Sequence, residues 1–424
     1  MSLASEQSLE SAYVMGTFAR KPVELVRGSG MAVFDDEGRE YLDFIGGIGA
    51  VSLGHCHPAV TAALSLQAEK LVHVSNYYYV EHRGEVARLL SGLLNQTVAE
   101  ADKAPWKTFF ANSGAEANEC AIKLARLHAR KRAAARVQAQ GAGSDAVHAA
   151  EEAAPRLVVT LEGSFHGRTL ATLAATAQPA KQEAFQPLPD GFVAVPPNDV
   201  AALEALFEAQ GDQVCAVMVE CVQGESGVHP CTSEFLQAAR RLTAERGALL
   251  MCDEIQCGIY RCGTYPFGFQ HFGILPDVVT IAKGVASGMP TGMCTARADV
   301  AASFAPGDHG STFGGSNLAV VAAQATLRTL ADEGFGERVE RVGAYLRARL
   351  AELPHVVEVR GLGLMVAADL AEDVDANDVV LRALGEGLVI NATGPHTLRF
   401  LPPLVCEEQH VDQLVERLSR LLGA

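Results

Sequence analysis

Three polar residues close apolar runs at intervals that suit joint chemistry. They are Glu220 after CAVMV, Asp253 after ALLMC and Lys283 after DVVTIA. Glu220 and Asp253 lie 33 residues apart, and Asp253 and Lys283 lie 30 apart. Each interval is the length of one strand–helix–strand unit, so all three side chains could stand at neighbouring strand ends over one crevice. Lys283 is the last of eight lysines in the chain. A strand-end lysine can simply reach solvent. Desolvated, it becomes the neutral amine that a Schiff-base enzyme needs to attack a carbonyl. Asp253 has three readings. It can cap or pair structurally; it can hold magnesium, as in nucleotide hydrolases; or it can face a pyridinium nitrogen. The magnesium reading needs an upstream G-x-x-x-x-G-K-[ST], which the sequence lacks.

Other fragments add to this set. Ser113-Gly114-Ala115 follows an apolar run and opens a helical pattern. Backbone N–H groups there suit a phosphate, although an ordinary N-cap serine would look the same. Phe165-His166-Gly167-Arg168 follows another run: the aromatic could stack on a flat ring and the arginine could hold a carboxylate, or the segment is a turn with a solvated arginine. Gly310-Ser311-Thr312-Phe313-Gly314-Gly315 is a second glycine-rich turn carrying two hydroxyls, or a plain loop before a helix. Together the fragments supply a ring stacker, a ring-nitrogen partner, a phosphate cradle, a Schiff-base lysine and an arginine. The ring-nitrogen partner is the part that a pyridoxal-phosphate site requires, and no fragment is decisive alone.

The elements that must position these groups alternate along the middle of the chain. Apolar runs at 107–111, 156–162, 215–220, 248–254 and 277–283 are separated by helix-like stretches at 115–132 and 232–247. Near-continuous apolar strands between amphipathic helices indicate an α/β fold with a mostly parallel central sheet covered by helices. Residues 133–155, rich in Ala, Gly and charge, read as a surface insertion or poorly ordered loop. A long helical stretch over roughly 318–353, the run VVEVRGLGLMVAADL, a short helix near 377–387 and a closing amphipathic helix fit a smaller α+β domain. GMAVFDDEGREYLDF reads as a β-hairpin around Asp36-Glu37-Gly38. The expected division is 1–75 contributing to the small domain, 76–316 as the large domain and 317–424 as the rest of the small domain.

Composition excludes several classes. Lys and Arg number 34 against 50 Asp and Glu, a net charge of −16, so nucleic acid is not an expected partner. No apolar run approaches the ~18 residues of a membrane span, and no membrane association is expected. The opening MSLASEQSLESAY has neither a basic nor an apolar leader region, which points to the cytoplasm. Ten cysteines occur without C-x-x-C spacing and mostly inside apolar runs, as buried free thiols of a reducing compartment would. His55-Cys56-His57, followed by Pro58, reads as a turn rather than a metal site, and no metal is expected.

The segments YVMGTFARKPVELVRGSG, YLDFIGGIGAVSLGHCHPAV, NSGAEANECAIKLAR, SFHGRTLATLAAT, CDEIQCGIYRCG, PDVVTIAKG and HGSTFGG resemble the class III, fold type I, pyridoxal-phosphate aminotransferases. The resemblance runs from Tyr13 to the C-terminal helix, and within the class it is greatest to the acetylornithine aminotransferases. It implies that Lys283 is the Schiff-base lysine, that Asp253 contacts the pyridine nitrogen and that Gln256 meets the ring hydroxyl. It implies that Phe165 stacks on the ring and that Ser113, Gly114 and Ala115 bind the phosphate. Thr312 would reach the phosphate of a neighbouring subunit's cofactor, so a homodimer with shared active sites is implied. Arg168 and Ser311 match substrate-binding positions. Glu225 and Arg399 match a gating pair in which the arginine takes a carboxylate of 2-oxoglutarate when the glutamate lets go. The implied reaction moves the distal amino group of N-acetylornithine to 2-oxoglutarate, a step of arginine biosynthesis. Cys221, Tyr260, Cys262, Ser316 and Asn317 depart from the class pattern, at positions outside the cofactor set. Other readings remain: an ω-aminotransferase for ornithine, succinyl-diaminopimelate or 4-aminobutyrate, a racemase or mutase on the same scaffold, or a non-catalytic ligand-binding protein.

Overall fold

The computed structural model describes residues 2–332 and 334–423. Among them, seven strands form the central sheet. Their spatial order is Trp106–Ala111, Gly292–Arg297, Val278–Ile281, Leu249–Asp253, Val214–Val219, Leu157–Leu161 and Phe192–Val195. Gly292–Arg297 runs antiparallel to both neighbours, and the remaining adjacent pairs are parallel. The sheet is apolar on both faces because helices cover both: Val158, Val217, Leu250 and Val279 are fully buried. Cys252 stands opposite Val279 on one side and Val219 on the other. That register brings the carboxyl ends of three strands level, and so aligns Glu220, Asp253 and the segment leading to Lys283.

Local chemistry sets the helix ends. The side chain of Ser113 accepts from the Glu116 N–H and starts the helix Gly114–Ala139. Thr232 caps Ser233–Arg246, which stops at Gly247 in the left-handed region that glycine tolerates best. Two smaller sheets flank the large one. Leu25–Ser29, Ala32–Asp35 and Glu40–Asp43 form a meander whose last strand pairs in parallel with Leu388–Val389, so N- and C-terminal segments share one sheet. Val356–Leu362, Met365–Leu370, Thr397–Phe400 and Asn391–Ala392 form the other.

The structure differs from sequence expectation in four places. Residues 133–155 are not a loop: the first helix continues to Ala139, and Ser144–Glu152 is a second helix. The alanines that suggested low complexity are the best helix formers. The stretch 318–353 is two helices, Asn317–Leu330 and Phe335–Ala351, with Gly334 in the left-handed region at the start of the second. The strands Phe192–Val195 and Gly292–Arg297 lie in segments not read as strands. The 277–283 run ends as a strand at Ile281, and Lys283 opens a short 3-10 turn with φ of 44°.

Candidate active site

A crevice of about 390 Å³ opens at the carboxyl ends of the central strands. Its walls include Ser113, Gly114, Ala115, Phe165, Arg168, Glu220, Glu225, Asp253, Gln256 and Lys283. Residues from six separate segments of the sequence, 113–115, 165–168, 220–225, 253, 256 and 283, thus meet in one place. Lys283 sits deep in the protein with its side chain partly exposed to the crevice. Burial pushes its amine below the ordinary lysine range, against the attraction of the nearby Glu225 carboxylate. A non-glycine residue with positive φ is held in a strained conformation, as reactive residues sometimes are.

Asp253 is 3% exposed and fixed from behind. Its Oδ2 receives His166 Nδ1 at 2.8 Å and Asn118 Nδ2 at 2.8 Å, and its Oδ1 receives the Ile255 N–H at 3.1 Å. Burial alone would push the His166 imidazole down. The hydrogen bond and charge of Asp253, with the charge of Glu220, outweigh burial and raise its pKa. Neither His166 nor Asn118 was singled out from the sequence. Both lie inside recognised fragments, FHGR and GAEANEC, but nothing in residue type or spacing shows that they converge on Asp253. Glu220 accepts the Phe165 N–H at 2.8 Å, and burial raises its carboxyl to about 7, helped by Asp253 and opposed by His166.

At the mouth, Glu225 and Arg399 form an ion pair of 2.8 Å. Arg399 is 2% exposed, and its guanidinium also reaches the Gly224 carbonyl at 3.1 Å, Gln256 Oε1 at 3.2 Å and Asn391 Oδ1 at 2.9 Å. Gln256 Nε2 donates to Glu225 at 2.9 Å. Burial would raise the Glu225 carboxyl, but Arg399, Lys283 and the two hydrogen bonds bring it down to about 2. A Cβ on Gly224 would run into the Gln256 amide, so this packing requires glycine. Gln256 therefore spends its amide on the ion pair in this state.

Ser311 and Thr312 are not in this crevice. They line an adjacent cavity of about 410 Å³ with Asn112 and His309. Asn112 borders both cavities and donates to Ser311 Oγ at 3.0 Å. Arg168 does line the crevice, with its guanidinium 5.5 Å from the centre of the Phe165 ring.

A pyridoxal phosphate fits these residues. The crevice has an anion-binding helix N-terminus on one wall, where Gly114 packs so closely that a Cβ would sit 2.7 Å from Ile255. It has an aromatic ring, a buried carboxylate with an accepting oxygen, and a desolvated amine. Ten cysteines are free; all but Cys56 are buried.

The Aminotransferase class-III family model matches residues 17–422. An acetylornithine aminotransferase of Caldanaerobacter subterraneus subsp. tengcongensis is 43% identical over 98% of this chain and 98% of its own. One from Methanocaldococcus jannaschii is 40% identical over 97% of this chain and 96% of its own. The crystal structure of an ornithine aminotransferase from Toxoplasma gondii ME49 superposes with a TM-score of 0.86 at 31% identity, covering 100% of this chain and 95% of its own. That of an acetylornithine aminotransferase from Elizabethkingia anophelis superposes with a TM-score of 0.83 at 32% identity, covering 100% of this chain and 99% of its own. The chain belongs to the class-III aminotransferases. It is an α/β enzyme of that family, and its cofactor is pyridoxal phosphate.

Proposed function

We propose that this enzyme transfers the distal amino group of N-acetylornithine to 2-oxoglutarate, giving the acetylated semialdehyde and glutamate. The observation that carries the reading is a pair of arginines of different kind, Arg168 on the crevice wall and Arg399 behind the Glu225 and Gln256 side chains that line it. Arg168 is open to solvent, whereas Arg399 is buried and already paired with a carboxylate. An amine donor with one carboxylate and a dicarboxylate acceptor need different cation arrangements in turn. The acetylornithine aminotransferases among its relatives support the choice of donor.

In this reading Lys283 would be the residue that anchors pyridoxal phosphate, with Asp253 serving the ring nitrogen and Gln256 the ring hydroxyl. Phe165 packs on the ring, and Ser113, Gly114 and Ala115 hold the phosphate. Bound pyridoxal phosphate supplies an aldehyde to carry the amino group and a ring that draws off electron density. Arg168 holds the α-carboxylate of the donor and leaves its distal amine toward Lys283. Lys283 Nζ, whose pKa burial lowers, takes the proton from the donor carbon bearing that amine. Asp253 holds a proton on the ring nitrogen. In the second half-reaction Glu225 swings off Arg399, which then binds the side-chain carboxylate of 2-oxoglutarate. Thr312 and Ser311 serve a site shared with a second copy of the chain: their separate, exposed cavity suits contact with a neighbour's phosphate and substrate. The enzyme is then a homodimer, which light scattering checks by mass.

The acyl group matters because it removes the α-ammonium charge, which would otherwise stand as a like charge close to the Arg168 guanidinium. A preference for acetylornithine over ornithine of at least about tenfold in kcat/KM needs only ~1.4 kcal/mol. The test is a donor panel of acetylornithine, ornithine, succinyl-diaminopimelate and 4-aminobutyrate with 2-oxoglutarate. Arg168→Lys should erode the preference, because lysine cannot make a bidentate carboxylate contact. Equal turnover of ornithine would overturn the donor assignment and leave the family intact.

A further inference from the structure

Arg261 is a fully buried cation with no acidic partner among the described residues. It is 2% exposed. Its Nη1 donates to the carbonyls of Leu364 at 3.0 Å and Pro402 at 2.6 Å, while its Nη2 has no partner among the described residues. The contact is reciprocal, since the Leu364 N–H donates to the Arg261 carbonyl at 3.0 Å. Burial lowers its pKa to about 10, so it remains a guanidinium at neutral pH.

The two carbonyls it grips are not arbitrary. Met365–Leu370 and Thr397–Phe400 are antiparallel neighbours, with Val366 opposite Phe400 and Ala367 opposite Arg399. Continuing that register places Leu364 opposite Pro402. Arg261 therefore ties the facing backbones together just beyond the end of the ladder that carries Arg399. It also stands five residues after Gln256, whose Oε1 accepts from Arg399. The 254–263 turn thus holds the Arg399 strand at two points. The far side of the same segment is pinned to the Lys283 loop: Leu404 N–H donates to the Ser52 carbonyl at 2.7 Å, and Ser52 Oγ donates to the Gly284 carbonyl at 2.6 Å.

We propose that Arg261 is a positioning residue for acceptor binding, fixing the Arg399 strand against the crevice through the Leu364 and Pro402 carbonyls. It acts through Arg399 and touches no reactant. The inference rests on the reading of Arg399 as the carboxylate-binding group. Arg261 grips Pro402, three residues from Arg399, and reaches the Lys283 loop only indirectly through Leu404 and Ser52, so its loss bears mainly on the dicarboxylate half-reaction; Arg168, which serves the amine donor, lies on another wall. A clamp that merely holds the fold together would affect both halves alike.

The test uses the holoenzyme and the variants Arg261→Gln, Arg261→Lys and Arg399→Lys. Glutarate, an unreactive five-carbon dicarboxylate, is titrated calorimetrically, and each half-reaction is followed in single turnover by cofactor absorbance. Arg261→Gln should weaken glutarate binding about tenfold or more, with the amine half-reaction within about twofold of wild type. Arg261→Lys keeps the charge and one donor to the carbonyls, and should recover part of the glutarate affinity. Unchanged glutarate affinity in both Arg261 variants, while Arg399→Lys loses it, overturns the role of Arg261 alone. Parallel loss in both half-reactions with a lowered Tm also overturns it. Unchanged affinity in Arg399→Lys overturns the underlying reading as well.

Discussion

Of the three carboxylates whose charge acts on Lys283, Asp253 and Glu225 are held in opposite ways. Asp253 is enclosed by His166, Asn118 and the Ile255 amide. Glu225 is held by the buried Arg399 and by Gln256 on the crevice wall, and a quarter of its side chain is exposed. The first arrangement cannot exchange partners without opening the core. The second presents Arg399 to any carboxylate that can displace Glu225. A buried ion pair broken on one side leaves an uncompensated charge, so the pair resists opening until a replacement anion arrives. The floor of the crevice is permanent and its mouth is exchangeable, and a two-substrate enzyme needs both.

Substitutions can break this comparison at either end. Lys283→Ala removes the amine on which both these carboxylates act; it should abolish turnover while still allowing the cofactor to bind non-covalently. Borohydride reduction and peptide mapping of the wild type should label Lys283, and a different labelled lysine would sink the assignment. Asp253→Asn disrupts the floor alone. It should retain the cofactor and lose about 10²–10⁴ in rate, the scale of one proton-handling element. Near-wild-type turnover with an unchanged absorbance spectrum would refute the ring-nitrogen role.

Glu225→Gln loosens the mouth alone. Without its counter-charge Arg399 should bind glutarate more tightly, by about tenfold, with little change in cofactor absorbance. Weaker glutarate binding would show that Glu225 supports rather than competes. The smallest effect is expected from pH. The Glu225 carboxyl is depressed to about 2, so its ion pair is fully present above its ordinary pKa of 4.5 and fades only as pH falls toward 2. Between pH 5 and 9, glutarate affinity should therefore show no inflection from Glu225. Opening of the pair would then be driven by competing carboxylate and not by protonation.

The floor was more legible in the sequence than its supports. Asp253 and Lys283 end apolar runs one strand–helix–strand unit apart, and that spacing places them together on physical grounds. Their alignment follows from sheet register, which the apolar runs encode. Asn118 lies mid-helix, and its reach to Asp253 depends on how Gly114–Ala139 packs on the sheet. His166 looked like part of a turn, although it is fully buried with Nε2 lacking a partner among the described residues. Arg399 could be placed only by resemblance, because Asn391, Gly224 and Gln256 meet it from three separate segments. The helices at 133–155 were missed for a different reason: an alanine-rich stretch has helix propensity, but here it buries no residue that would mark a core-facing side.

The backbone at Lys283 has a consequence for inheritance. A φ of 44° is a conformation that glycine adopts freely and that disfavours a side chain by roughly 1–2 kcal/mol. The reaction therefore keeps at this position a residue that folding would not choose. Lys283→Gly should melt at a higher temperature than Lys283→Ala, since only glycine relieves the torsion. A descendant chain released from catalysis would be under steady pressure toward glycine here, and the loss of the amine would be rewarded by the fold itself.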